Sequence, residues 1–250
     1  TEHTTAGGPA EHATATAGCG TLDVGRVHNG GKGRPRGLGM FDRFRALYAP
    51  LREDVPAGSA WLHERLTKVP GYTDFAAEFA GATFDGGLYR VHDDISGPRA
   101  MDLIRDAYPE YTGRVCPFGF DWLGNQMAVD YGRIVEGQPQ VLLFEVGTGK
   151  ALRIPVSFTA FHEEEAVDNP EAALASEFFY SWSAPNTDAL PLRRDQCVGY
   201  RIPLFLGGQD EEQNLEITDL EVYWSLTGQL RVSTLDLPPG TPIQGVTRGE

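Results

Sequence analysis

Phe41, Phe44, Leu47 and Tyr48 recur at helical spacing, and Pro50 closes the run, which predicts a first short helix. Ser59 stands where it would cap a helix over Ala60 to Leu66, and the apolar positions of Tyr72 to Phe79, ended by Gly81, predict another. An extended run from Leu88 to His92 leads to Ser96, placed to cap a helix with Pro98 in its first turn. Met101, Leu103, Ile104 and Ala107 are that helix's apolar positions, and Pro109 stops it. From residue 117 the period shortens: Phe118, Phe120 and Trp122 alternate with Gly119 and Asp121, as in a strand.

Turns at Leu123-Gly124-Asn125, Glu136-Gly137-Gln138-Pro139 and Gly147-Thr148-Gly149-Lys150 then separate strands over Gln126 to Arg133, Gln140 to Val146 and Ala151 to Pro155. Short loops between successive strands predict an antiparallel meander, with Val141-Leu142-Leu143-Phe144 its most buried strand. Two helices are expected next, Thr159 to Val167 and Glu171 to Trp182, the second with Asn169 as cap and Pro170 in its first turn, both covering one face of the sheet. Cys197 to Gly208 reads as an extended crossing and Asn214 to Thr218 as a strand, after which Asp219 caps a helix carrying Leu220, Tyr223, Trp224, Thr227 and Leu230 on one face. The fold class is therefore α+β: N-terminal short helices, then an antiparallel β-meander with helices packed on it.

Residues 1–39 break this pattern, with ten Gly, five Ala, six Thr and no Phe, Tyr or Trp. Such a segment buries too little apolar surface to offset the entropy of ordering it, and is expected to be a flexible tail. Met40 opens the first core-like run and is a candidate translation start. The expected organisation is a tail over 1–39, a helical region over 40–112, an α+β domain over 113–235 and a loose Pro/Gly-marked tail over 236–250.

The net charge of −14 disfavours direct partnership with nucleic acid or an anionic membrane, since affinity for both polyanions comes from Lys and Arg. The tail carries +1, so the remainder carries −15 and better suits a basic protein or a cation. No apolar run is long enough to span a membrane, and the N-terminus lacks a signal-like apolar core, which predicts a soluble, cytoplasmic protein. Cys19, Cys116 and Cys197 are odd in number and unpaired in spacing, as free thiols in a reducing compartment are.

Motifs for catalysis, cofactors and metals fail when tested residue by residue. Gly30-Gly31-Lys32-Gly33 lacks both the leading Gly and the Ser/Thr of a phosphate loop. His63-Glu64 and His162-Glu163 each lack the second histidine of a zinc hydrolase helix, and read instead as amphipathic surface helices. Gly-x-Ser-x-Gly does not occur, and Gly147-Thr148-Gly149 has Leu152 where a dinucleotide fingerprint needs a small residue. Asp93-Asp94 follows a predicted strand, where a role at a helix start or turn outweighs cation binding. No cofactor and no metal is expected.

Acidity remains, in two blocks free of Lys and Arg. Phe158 to Phe179 holds Glu163, Glu164, Glu165, Asp168, Glu171 and Glu177, and Gly208 to Val222 holds Asp210, Glu211, Glu212, Glu216, Asp219 and Glu221. Glu163, Glu164 and Glu165 fan around a helix axis by about 100° per residue, so they make a surface field and not an ion site. That field is either a solvated face or a docking surface. On the second view the contact residues are Glu163, Glu164, Glu165, Asp168, Glu171, Asp210, Glu211 and Glu212.

Pro117-Phe118-Gly119-Phe120-Asp121-Trp122-Leu123-Gly124-Asn125-Gln126, followed by Gln140 to Gly149, resembles the C-terminal domain of bacterial immunity proteins that neutralise type VI secretion DNase effectors. Gly199 to Gly208, Asp219 to Trp224 and Gly228-Gln229-Leu230 fit the same family, and Phe41 to about Tyr111 is similar to the GAD-like domain that precedes it there. The resemblance rests on structural glycines, aromatics and turns. It implies a cytoplasmic, non-enzymatic inhibitor of a basic toxin, in that family a nuclease, whose DNA-holding surface an acidic protein suits. Two other readings stand beside it: an adaptor or structural module tethered by the tail, and a small-ligand protein or enzyme with a pocket lined by Asp121, Trp122, Tyr131 and Tyr200.

Overall fold

A computed structural model describes residues 39–51, 58–235 and 237. The expected tails, Gly39 and Leu237 apart, and Cys19 lie outside the described residues. Six strands form an antiparallel sheet in chain order: β1 (Thr83–Phe84), β2 (Tyr89–Val91), β3 (Val115–Asp121), β4 (Gln126–Val135), β5 (Gln138–Glu145) and β6 (Lys150–Ser157). This is the expected meander, joined through the strand expected over Leu88 to His92, seen as β2, to a further short strand, β1, that the sequence did not predict. A hairpin of β7 (Gln196–Tyr200) and β8 (Leu215–Asp219) forms a second, two-stranded sheet.

Helices cover both faces of the sheet's centre, whereas β6 and the far half of β4 stay largely open to solvent. Helices α1 (Asp42–Leu47), α2 (Tyr72–Phe79), α4 (Phe158–Ala160), α5 (Ala166–Asp168), α6 (Pro170–Leu174) and α7 (Ser176–Ser183) contribute to the aromatic core that includes Phe118, Trp122, Met127, Val129, Val141 and Leu143. On the other face α3 (Ser96–Ala107) and α8 (Leu220–Thr234) enclose Phe120, Ala128, Leu142 and Phe144. The two helices meet at Gly228, where an added Cβ would stand 2.7 Å from the Ala107 Cβ. Phe118 and Phe120 were expected on one face. A β-bulge between Pro117 and Gly119 shifts the register and sends their side chains into different cores.

Three local expectations are corrected. Ala60 to Leu66 is not a helix, since only a 3-10 turn, Leu66–Lys68, forms there. Trp61 packs instead against α3 at Gly97, where a Cβ would meet its ring at 2.2 Å. Thr159 to Val167 is helical but widens into a π turn, Phe161–Glu165, between α4 and α5. The predicted helix Glu171 to Trp182 is two helices, broken at Ala175 with φ 50°. Glu171 bridges the break, its carboxylate accepting from the Glu177 amide at 2.5 Å.

The π turn explains why His162 is not on a surface helix. Its ring is fully buried among Phe41, Phe44, Phe75 and Phe158, with Nδ1 donating to the Phe158 carbonyl and Nε2 accepting from the Tyr89 hydroxyl, each at 2.9 Å. Burial lowers its pKa to about 3, so it is a neutral core residue. Asp93 starts α3 as expected, accepting from the amides of Ile95 (3.2 Å) and Ser96 (2.8 Å), and this displaces Ser96 from the capping role. Asn169 makes no side-chain cap, whereas Asp219 caps α8 through the Val222 amide at 2.9 Å.

Candidate functional site

Strand ends and loops from four parts of the chain converge on a cleft of about 400 Å³. Asp121 ends β3 and Asn125 lies in the turn after it, Glu145 ends β5 and Thr148 lies in the turn after it, Glu171 comes from α6, Tyr200 ends β7, and Asp210 lies in the segment that follows. Gly124 makes the first turn possible. Its φ is +79°, and an added Cβ would lie 2.9 Å from Leu220 and 3.1 Å from Cys197. The second turn closes on Thr148, whose hydroxyl donates to the Glu145 carboxylate at 2.8 Å.

Four carboxylates line one cleft, and their surroundings differ. Asp121 is 1% exposed and accepts from the Asn125 amide and side chain, both at 2.9 Å. Burial outweighs those bonds and pushes its pKa up to about 7, with Glu145 adding repulsion. Burial also raises the pKa of Glu145, helped by the charge of Asp210 and opposed by Thr148 and Lys150. Asp210 is exposed and accepts from the Tyr200 hydroxyl at 2.6 Å. Chemically, the cleft suits a cation or a donor-rich basic side chain, which would favour the ionised carboxylates.

The two acidic blocks meet here. Glu171 of the first and Asp210 of the second share the cleft, and the Ser181 hydroxyl donates to Glu212 beside it. Glu211 is exposed. In the first block only part of the acidity faces solvent. Glu164 is exposed and Glu165 half-buried, but Glu163 is 5% exposed, its carboxylate facing the Phe44 amide at 3.5 Å. Asp168 pairs with Arg43 at 2.5 Å, so a base from α1 enters a block that the sequence shows without one. Sequence reasoning did not single out Glu145, whose one signal is its place at a strand end before the Gly147-Thr148-Gly149 turn.

Of the residues considered for a small-ligand pocket, Asp121 and Tyr200 line the cleft. Trp122 is wholly buried, its indole donating to the Leu174 carbonyl at 3.2 Å, and the Tyr131 ring stacks under Arg65. The thiols of Cys116 and Cys197 are free and buried, and burial raises both pKa values, that of Cys116 to about 11. Among the described residues no group of three or more His, Cys, Asp or Glu side chains is arranged to hold a metal ion. No helix among them is long and apolar enough to cross a membrane.

A comparison with curated proteins finds no match. Among solved structures, Atu4351 from Agrobacterium tumefaciens is similar with a TM-score of 0.54, over 76% of this chain and 89% of that chain, at 16% identity. That likeness shows a shared fold. Residues 186–231 match the family model described as T6SS immunity protein Tdi1, C-terminal. The matched segment contains β7, β8, most of α8, and Tyr200 and Asp210 of the cleft, and it is there that the chain is similar to the type VI secretion immunity proteins.

Proposed function

We propose that this chain is an immunity protein that binds a basic toxin, a nuclease effector, and blocks it by occupying the surface with which the toxin holds nucleic acid. The observation that carries the reading is the match of residues 186–231 to an immunity-protein model, because that segment supplies one wall of the acidic cleft. The charge of −14 supports a basic partner, since opposite fields speed encounter and disfavour other acidic proteins. In this reading the inhibitor acts in the cytoplasm and catalyses nothing.

Of the contact residues expected from sequence, Glu164, Asp168, Glu171, Asp210 and Glu211 are exposed; Asp168 is paired with Arg43, and the other four form the proposed docking face, with Glu165 and Glu212 at its margins. Glu163 and Asp168 act within the fold, holding α1 against the helical segment after β6. The GAD-like region is proposed to support the face from behind, its Phe41, Phe44 and Phe75 sharing a core with Trp122 and Phe179.

Co-expression tests the reading. A toxin encoded beside this chain should kill a bacterial host when expressed alone and spare it when this chain is co-expressed. Death at the same rate with and without the chain, both proteins being present, would refute the proposal.

A further inference from the structure

Three polar residues of the acidic cleft stand in one cross-strand row. The Asp121 amide donates to the Asn125 carbonyl at 3.1 Å, and the Gln126–Phe144 pair of β4 and β5, continued by one residue, sets Asn125 opposite Glu145. Side chains in such a row share a face of the sheet, with the Cβ atoms of opposite residues about 4.5–5.5 Å apart. Exposure falls along the approach to the row. Glu171 and Asp210 are exposed at the mouth, Glu145 and Thr148 are half-buried, and Asn125 is 7% exposed.

Hydrogen bonds leave two neighbouring acceptors of the row open. An ionised Asp121 can only accept, and it takes both the backbone amide and the side-chain NH2 of Asn125 at 2.9 Å, which holds that NH2 inward and turns Oδ1 away from Asp121. Asn125 Oδ1 accepts from no residue of the fold, and it is not among the unpartnered atoms that the fold seals from solvent. Glu145 is used at one oxygen, where Thr148 donates to Oε2 at 2.8 Å, and its Oε1 is left. Polar side chains as buried as Asn125 are nearly always paired, so an orphan acceptor beside a half-used carboxylate points to a donor from outside.

Charge makes that donor a cation. No Lys, Arg or His lines the cleft, and among the described residues none of Asp121, Glu145, Glu171 and Asp210 belongs to an ion pair. Lys150, opposite Glu145 across β5 and β6, acts on its charge without closing to ion-pair distance. Burial raises the pKa of both Asp121 and Glu145, a cost that a bound cation offsets and a water molecule does not.

Shape selects among cations. Among the described residues no three acids converge as the ligands of a metal ion. Two adjacent acceptors suit the planar fork of a guanidinium, with its five N–H donors, better than the point charge of an ammonium. Leu123, Leu143 and Phe178 supply apolar wall against which the methylenes of an arginine can lie.

We infer that the cleft takes one arginine side chain, its guanidinium donating to Asn125 Oδ1 and Glu145 Oε1 and its stem lying against Leu123, Leu143 and Phe178, and that the toxin supplies this arginine; only the last step rests on the reading of the chain as a toxin inhibitor. The acidic face attracts a basic partner from a distance, and the cleft adds a contact that fixes where the partner sits.

The test is an NMR titration of the full chain at pH 8, above the pKa of about 7 of Asp121, with 13C label read at the side-chain carbonyl of Asn125 and the carboxylate of Glu145. The probes are acetyl-arginine methylamide, acetyl-lysine methylamide and the uncharged isostere acetyl-citrulline methylamide. The arginine probe should shift both signals saturably, at least about 3-fold more tightly than the lysine probe and about 10-fold more tightly than the citrulline probe. Glu145→Gln keeps an acceptor for Thr148 and loses the charge, and should weaken arginine binding about 10-fold. Glu136→Gln, the same loss of charge at the exposed β4–β5 turn, should change it by less than about 1.5-fold, because separated surface charges are screened. Unshifted signals, equal binding of the lysine or citrulline probe, or equal weakening by the two variants would each overturn the inference, and none of these results involves a toxin. Where the wild type protects a co-expressing host, Glu145→Gln should protect it less. Equal protection would overturn the assignment of the arginine to the toxin, whereas failure of the wild type itself would refute the functional reading and leave arginine binding to the titration.

Discussion

Asp121→Asn separates the cost of holding a carboxyl at the floor of the acidic cleft from everything else that responds to pH. Burial, reinforced by Glu145 and opposed by Asn125 and Arg90, raises the folded pKa of Asp121 from 3.8 to about 7. Below 3.8 both folded and unfolded chains hold the proton, and the group has no effect. Between 3.8 and about 7 the folded chain keeps the proton and the unfolded chain has lost it, so each pH unit lowers stability by about 1.36 kcal/mol, to a total near 4 kcal/mol above pH 7. Asparagine has the same shape and no charge. Its Oδ1 still accepts from the Asn125 amide, and its NH2 donates to the Asn125 side chain once that amide turns over. The stability of the variant relative to wild type, from urea unfolding at several pH values, should therefore climb by about 3 kcal/mol between pH 4.5 and 8 and flatten near pH 7.5. His92 and His162, held neutral by burial at about 4 and about 3, cost both proteins stability as pH falls below about 6.5, so they cancel in the difference. A difference constant to about 0.5 kcal/mol over that range would refute the reasoning.

Three further substitutions probe the frame and the face. Trp122→Ala removes a fully buried indole packed on Phe178, Phe179 and Trp182, and should lower urea stability by about 3–5 kcal/mol; a loss under 1 kcal/mol would show that the core is misplaced. Gly124→Val puts a β-branched residue at φ +79° against Leu220, and should lower the thermal midpoint by at least about 4 °C; an unchanged midpoint would mean that the turn is free to move. Reversing Glu164, Glu171 and Glu211 to Lys should slow association with the toxin and flatten its dependence on salt, while reversing Asp102, Asp106 and Glu136 should matter less. Stopped-flow rates at two salt concentrations decide this, and equal rates for both triple variants would reduce the acidic face to solvation.

The sequence is legible where structure is set within one turn of a helix or one pair of strands. Tyr72–Phe79, Ser96–Ala107, the three meander turns and the cap of α8 by Asp219 all follow from periodicity, Gly and Pro placement or a capping side chain. The resemblance to immunity proteins is borne out over 186–231. What stays hidden is non-local. Nothing beside Pro117 signals the bulge that separates Phe118 from Phe120, and nothing beside His162 shows that a π turn carries it among six phenylalanines. Glu171 and Asp210 are far apart in the chain and meet only because the loops after β5 and β7 end at the same edge of the fold as α6. Glu163 looked like its neighbours by charge, but the widened helix turns it inward, toward α1.

The most direct test of the central claim is a titration of the toxin's activity with the purified chain. A toxin captured on this chain from its native host, identified by mass spectrometry and assayed on DNA, should lose activity in proportion to added protein and reach full inhibition at one equivalent. Wild-type inhibition should persist in moderate salt, and the Glu164, Glu171 and Glu211 charge-reversal variant should need a large excess to reach the same end point. Full toxin activity in the presence of many equivalents of folded wild-type chain would contradict the account.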